Sequence, residues 1–182
     1  MLHLIVSDIH GAKSSAEKII ILDKQYNFSS ILVLGDINYN GARNVPPVDY
    51  SPIDVTTLLK TIKDKCLFIR GNCDSRVDEF VLEKKFFNIK KIKINKRKFI
   101  LTHGDLYNKE TYKIHKNNVF LYGHTHIYEL TKTKNNSFIL NPGSISLPKN
   151  NNPRSYLIFD DEKELFSLYN INDVLIDSLS MK

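Results

Sequence analysis

The sequence predicts an α/β sandwich built on a two-sheet core, and three observations carry that expectation. Short, continuously apolar runs recur along the chain, as in strands covered on both faces. Five of these runs stop abruptly at a polar cluster, which is how layered α/β proteins place chemistry at strand ends. Helical spacing separates the early runs, whereas turn signals separate the later ones.

Leu2–Val6 is the first run and leads into Ser7-Asp8-Ile9-His10-Gly11. Ser14 or Ser15 can cap a helix through about Tyr26, with Ala16, Ile19 and Ile20 on one face. Ile31–Leu34 follows and ends at Gly35-Asp36. Ser51-Pro52-Ile53-Asp54 then offers an N-cap, a proline at the first helical position and a carboxylate at capping-box spacing. Val55, Leu58, Leu59 and Ile62 recur at i, i+3, i+4 and i+7, so an amphipathic helix is expected there. Cys66–Ile69 leads into Arg70-Gly71-Asn72-Cys73-Asp74, and the opening third reads β-α-β-α-β.

The second half is expected to be a mostly antiparallel sheet packed against the first. Phe87–Ile94 and Lys98–Leu101 flank Asn95-Lys96-Arg97 as a hairpin. Within it, Phe99–Leu101 runs into Thr102-His103-Gly104-Asp105, and Val119–Tyr122 later runs into Gly123-His124-Thr125-His126. A short helix is expected near Lys109–His115. Glu129–Lys134 with Ser137–Leu140, and Tyr156–Phe159 with Glu164–Tyr169, form two further hairpins. Val174–Leu179 is read as completing the second sheet or contacting another subunit of a homo-oligomer. The loops Asn38–Tyr50 and Asn141–Arg154 follow site clusters and are rich in Asn, Pro and Gly.

At 182 residues the chain is read as one domain, residues 1–182. A domain near this size buries roughly 70% of its unfolded surface and needs no disulfide framework. Apolar residues make up 42% and charged residues 25%, which excludes disordered, collagen-like and coiled-coil classes. No apolar run approaches the roughly 20 residues that span a bilayer, so no membrane partner is expected. The start lacks the basic n-region of a signal peptide, and the two cysteines suit a reducing compartment, so a cytoplasmic location is expected. The net charge of +6 is concentrated in lysines between Lys84 and Lys98, beside Phe86 and Phe87. A solvated strand pair with lysines on exposed faces and edges is favoured there over a nucleic-acid patch.

The polar clusters supply Asp8, His10, Asp36, Asn72, His103, His124 and His126, each just beyond an apolar run. A lone histidine beside a strand is usually a hydrogen-bonded core or surface residue. Seven such groups buried together are different, because without a cation their lone pairs would face one another at a cost of several kcal/mol each. Mixed nitrogen and oxygen donors suit Mn²⁺, Fe²⁺, Zn²⁺, Co²⁺ or Ni²⁺ better than Ca²⁺ or Mg²⁺. Seven donors exceed the needs of one tetrahedral ion and fit two ions sharing a carboxylate, about 3.5–4 Å apart.

In order, Asp8-Ile9-His10, Gly35-Asp36, Gly71-Asn72-Cys73-Asp74, His103-Gly104 and Gly123-His124-Thr125-His126 resemble the motif set of the calcineurin-like metallophosphoesterase superfamily. Gly41-Ala42-Arg43-Asn44, the Gly-Asn-Cys-Asp tetrad and Asn141-Pro142-Gly143-Ser144 are similar to its YfcE-type phosphodiesterases. The resemblance runs nearly end to end and implies a four-layer α/β/β/α sandwich with two mixed sheets. It also implies one metal on Asp8, His10, Asp36 and His126 and a second on Asp36, Asn72, His103 and His124, with Mn²⁺ the first expectation. A water or hydroxide between the ions would attack a small phosphodiester in line, with Asn72, Cys73 and His103 in the catalytic set. Arg43, Asn44 and Cys73 would meet the substrate, Arg43 competing with a solvated surface role.

Cys73 is the informative departure, because much of the wider superfamily has a histidine there that can protonate the leaving group. A thiol cannot carry that proton as an imidazolium does. The reaction is therefore expected to favour leaving groups that depart without a proton. The same site could serve a phosphomonoesterase or a nuclease, although no single-strand-binding stripe accompanies it and a nucleic-acid partner is not expected. A non-catalytic protein-binding scaffold is the alternative outside enzymology. Cys66 and His3 are read as packed residues and His115 as exposed, and Asp74 and Asp105 as candidates to orient Asn72 and His103.

Overall fold

The computed structural model describes all residues from Met1 to Lys182. Strands β1 (Leu2–Val6), β2 (Ser30–Val33) and β3 (Cys66–Ile69) form where the first three apolar runs predict them. They pair in parallel, with β1 against β2 and β2 against β3. Their crossovers are helices α1 (Lys13–Tyr26) and α2 (Pro52–Lys60). Ala16, Ile19 and Leu22 of α1 and Val55 and Leu59 of α2 join Leu4, Val6, Ile31 and Val33 in one fully buried cluster. Helix α1 starts at Lys13 without a serine cap; the Asp49 carboxylate accepts the Ser14 N–H, while the Ser15 hydroxyl donates to the Ile145 carbonyl at 3.0 Å.

A third helix, α3 (Arg76–Leu82), was not anticipated, although Ser75 and Asp78 form a capping box that the sequence spells out. The expected strand Phe87–Ile94 is two strands. β4 (Phe86–Phe87) pairs with β3, and β5 (Ile89–Ile94) begins the other sheet. Burial explains the break, since Phe86 stacks on Phe68 at 5.3 Å on the helical side while Ile92 and Ile94 turn toward the gap between sheets.

The second sheet is mixed rather than mostly antiparallel. β6 (Arg97–Thr102), β7 (Val119–Leu121) and β9 (Phe138–Pro142) run parallel, flanked by β5 and by β8 (Tyr128–Lys132) as antiparallel edges. The last strands, β10 (Ser155–Asp160), β11 (Leu165–Asn170) and β12 (Leu175–Ser180), join the first sheet instead. β10 is buried along Tyr156, Leu157, Ile158 and Phe159 on both faces, and β1 provides the interior edge such a strand needs. The Val174–Leu179 stretch thus supplies the far edge of the first sheet, not the second. Between the two mixed sheets, Ile5, Leu32, Phe159 and Phe166 meet Phe99, Leu101, Leu121 and Phe138.

The segment expected as a helix near Lys109–His115 is a series of turns. It still acts as an outer layer, with Tyr112 stacked on Phe120 at 5.5 Å and Ile114 beside it. His3 is packed, with Nδ1 2.8 Å from the Ser30 hydroxyl, and His115 is exposed. Lys91, Lys93, Lys96 and Lys98 of the β5–β6 hairpin lie on exposed positions, where Lys93 and Lys98 stand directly opposite each other. Like charges at opposed positions destabilise a strand pair, so Lys98→Glu should raise urea-unfolding stability by about 0.5 kcal/mol. An unchanged or lower midpoint would contradict it.

Candidate metal centre

The parallel strands of both sheets end at one pole, and the polar clusters gather there. Five of the gathered residues leave their strands in a left-handed backbone conformation: Asp8 (φ 56), His10 (φ 50), Asp36 (φ 56), His124 (φ 65) and His126 (φ 61). These sharp turns aim the side chains inward at the strand ends. Two glycines make the approach possible. A Cβ on Gly123 would sit 1.9 Å from the Ser7 hydroxyl, and one on Gly71 would sit 2.1 Å from Asp36 Oδ1.

Asp8, His10 and His126 form one group of candidate ligands, and Asp8, Asp36 and His103 another, each with ligand atoms within 4.8 Å of one another. His126 Nε2 is 3.3 Å from Asp8 Oδ1 and 3.2 Å from His10 Nε2. Asp36 Oδ2 stands 3.6 Å from His10 Nε2 and 3.5 Å from His103 Nε2. Asn72 Oδ1 lies 3.2 Å from His103 Nε2, and the His124 ring meets the His103 ring edge-on at 5.1 Å. The structure therefore brings the seven sequence-predicted donors to one locality, with His124 half-buried and Asn72 exposed at its rim.

The donor atoms are oriented from behind. His10 Nδ1 donates to the Tyr39 carbonyl at 2.9 Å, His103 Nδ1 to the Leu34 carbonyl at 2.7 Å, and His126 Nδ1 to the Leu147 carbonyl. A carbonyl only accepts, so each Nδ1 carries the proton and each Nε2 faces the centre. Each carboxylate is likewise divided: Asp8 Oδ2 accepts the His124 N–H at 3.1 Å and Asp36 Oδ1 the Cys73 N–H at 2.8 Å. That leaves Asp8 Oδ1, which is buried with no hydrogen-bond partner, beside Asp36 Oδ2. An orphaned carboxylate oxygen facing imidazole nitrogens fits a cation, and the donor set suits a transition metal.

The electrostatics agree. Burial opposes ionisation of Asp8, but the hydrogen bond with His10 and then the His103 charge hold its carboxyl below the usual range. Burial likewise opposes the charged form of His103, yet Asp36, then Asp8, push its pKa up. Burial lowers both His124 and His126. The carboxylates thus favour a proton on His103 and, through Asp8, on His10, which a metal ion would have to displace. At His124 and His126 burial favours the neutral form that ligates.

The sequence placed several neighbours differently. Asp74 does not orient Asn72; its carboxylate accepts the backbone N–H of Asp36 at 2.9 Å, Ile37 at 2.8 Å and Gly71 at 2.8 Å, pinning the loop that carries Asp36. The Leu34 carbonyl, not Asp105, orients His103. Asn141 and Ser144 are fully buried supports beneath the site. Asn141 Nδ2 donates to the Gly123 carbonyl at 2.9 Å, and the Ser144 hydroxyl to the Asp8 carbonyl at 2.8 Å. Cys66 is unpaired in β3, and burial pushes its thiol up to about 12.

Above the centre opens a cleft of ≈ 620 Å³ lined by Asp36, Asn72, Cys73, His124 and His126 together with Arg43 and Asn44. Arg43 is exposed and forms no ion pair; Asn44 Nδ2 donates to the Asn40 carbonyl at 2.7 Å, closing the loop on itself. The Cys73 thiol is pushed up to about 12, by burial first and then by the Asp36 charge, and it accepts the Asn72 amide N–H at 3.2 Å. Tyr39, Thr125 and Lys149 also line the cleft and were not anticipated. Lys149 lies inside a loop already marked by its composition, but a single lysine in a lysine-rich chain carries no signal of its own.

Comparison with known proteins extends these observations. The family model described as "Calcineurin-like phosphoesterase superfamily domain" matches residues 1–164. The chain is 35% identical over 175 residues to "Phosphodiesterase YfcE" of Escherichia coli strain K12, covering 93% of this chain and 92% of the relative. The solved structure of the Escherichia coli phosphoesterase YfcE superposes with a TM-score of 0.95 at 32% identity, over 100% of both chains. A structure described as a novel archaeal phosphodiesterase shares the fold with a TM-score of 0.68 at 18% identity, over 97% of this chain and 100% of that one. The chain belongs to the calcineurin-like phosphoesterase superfamily.

Proposed function

We propose that this hydrolase is a phosphodiesterase dependent on two divalent transition-metal ions, most readily Mn²⁺, acting on a small phosphodiester. The observation that carries the proposal is the position of Asp36 Oδ2, within 3.6 Å of His10 Nε2 and 3.5 Å of His103 Nε2. An oxygen flanked by donors from both ligand groups is where a shared ligand belongs. Asp8, His10, Asp36 and His126 would hold one ion, and Asp36, Asn72, His103 and His124 the other. When bound, the ions supply Lewis acidity and lower the pKa of coordinated water toward neutrality.

The chain's own residues do the rest. Asn72 and Arg43 both line the cleft, where they can donate to phosphate oxygens as charge builds on them. Asn44 holds the loop that presents Arg43. The Tyr39, Leu34 and Leu147 carbonyls keep three imidazole rings from rotating, so the donor set is preorganised. Cys73 beside them remains a neutral thiol and is a weak proton donor to a departing alkoxide. The 1–182 chain acts as one domain, because β10–β12 complete the sheet that begins with β1. Its two unpaired cysteines suit the cytoplasm. No helix is long and apolar enough to cross a membrane.

Metal analysis of the purified protein, followed by a diester panel assayed with Mn²⁺, Fe²⁺, Zn²⁺, Co²⁺ and Ni²⁺, tests the reading. Bound transition metal and metal-restored diester hydrolysis are expected; a protein that carries none and binds no added Mn²⁺ would be a scaffold instead. The role of Cys73 has its own check. Across substituted phenyl diesters, log kcat should depend steeply on leaving-group pKa, and Cys73→His should flatten that dependence. Identical slopes would remove Cys73 from the chemistry.

A further inference from the structure

One cation in the cleft has no part in the steps above. Lys149 lines the cavity with Arg43, Tyr39 and Thr125. Its backbone N–H donates to the His126 carbonyl at 3.2 Å, which ties the root of its side chain to the loop carrying two of the metal donors. Lys149 is exposed and joins no ion pair, so its charge is free to meet a ligand in the cleft. Asp36 is the sole acid lining the cleft, and its charge belongs to the metal centre. Two divalent ions against the carboxylates of Asp8 and Asp36 leave a positive surplus, to which Arg43 and Lys149 both add. A simple diester brings one negative charge, too little to balance that field. Beside these cations the Tyr39 ring is 48% exposed and stacks on no other ring, a free face for a planar group.

We propose that Lys149 receives a second phosphate of the substrate, so that the substrate class is a nucleotide-like phosphodiester bearing a further phosphate group. The proposal rests on the phosphodiesterase reading above. A flexible ammonium on a long stem suits a phosphate attached at variable distance from the reacting one. Arg43 remains with the reacting phosphate.

Three p-nitrophenyl diesters test it in the metal-loaded enzyme: bis(p-nitrophenyl) phosphate, the p-nitrophenyl ester of thymidine 5′-phosphate, and that ester carrying an added 3′-phosphate. The two thymidine esters share leaving group and nucleoside and differ by one phosphate. The 3′-phosphate should raise kcat/KM about tenfold, through KM rather than kcat. Lys149→Ala should bring the ratio of the two thymidine esters to about one. Lys149→Arg should restore the preference, and added salt should shrink it in the wild type. The ratio is internal to each variant, so a general loss of folding does not imitate the result. Equal kcat/KM for the two thymidine esters in the wild type, or a preference that survives Lys149→Ala, would overturn the role of Lys149. Failure to hydrolyse any of the three diesters would instead overturn the phosphodiesterase reading.

Discussion

Replacing Asp36 with asparagine is expected to cut hydrolysis of bis(p-nitrophenyl) phosphate about a thousandfold, which corresponds to roughly 4 kcal/mol of lost transition-state stabilisation. The substitution is chosen for what it keeps. An asparagine oxygen can still accept the Cys73 N–H that Asp36 Oδ1 accepts at 2.8 Å, so the loop geometry survives. What it removes is the second anionic oxygen, the one between His10 and His103. Metal content should fall along with rate, measured on the same preparation. A variant within tenfold of wild type at saturating Mn²⁺ would show that Asp36 is not the shared ligand.

Gly71→Ala should produce the largest loss of stability, about 3 kcal/mol, lowering the melting midpoint by roughly 10 °C. The backbone angle at Gly71 is not the cause, because its φ lies outside the left-handed region. The cause is space: the added methyl would stand 2.1 Å from Asp36 Oδ1 and 2.5 Å from the Asp36 backbone nitrogen. Both atoms are held in place: the Asp74 carboxylate accepts the N–H of Asp36 and of Gly71 at 2.9 Å and 2.8 Å, and Asp36 Oδ1 accepts the Cys73 N–H at 2.8 Å. Relieving the clash would break that clamp, so metal affinity should drop in the same variant. Calorimetry showing an unaltered midpoint would refute this account.

The sequence revealed the site more fully than the fold around it. Each ligand follows an apolar run, and ligand identity is local chemistry that a residue type announces directly. Sheet membership is not local. Whether β10 pairs with β1 or with the second sheet depends on which partner buries both of its faces, and the hairpin signal at Asp160–Lys163 is the same in either case. The division at Asn88 has a similar origin, because Phe86 and Ile92 look alike in sequence yet face different cores. Tyr112 and Ile114 stand two residues apart, which is not the spacing of one helix face, and both pack beside Phe120 in a segment of turns. The supports were the least legible part. The carbonyls of Leu34, Tyr39 and Leu147 belong to no side chain, and no residue code marks them. Asp74 shows the converse: its type was noticed, but its partners are backbone amides that only the folded loop brings together.

The left-handed turns at Asp8, His10, Asp36, His124 and His126 have a consequence for how such a protein can drift. Each costs about 1 kcal/mol in a residue with a side chain, a burden that glycine escapes and that aspartate and histidine bear more easily than most. Mutation to glycine would relieve that backbone cost at the moment it removed a candidate metal donor. Backbone ease and metal holding therefore pull in opposite directions at the same five positions.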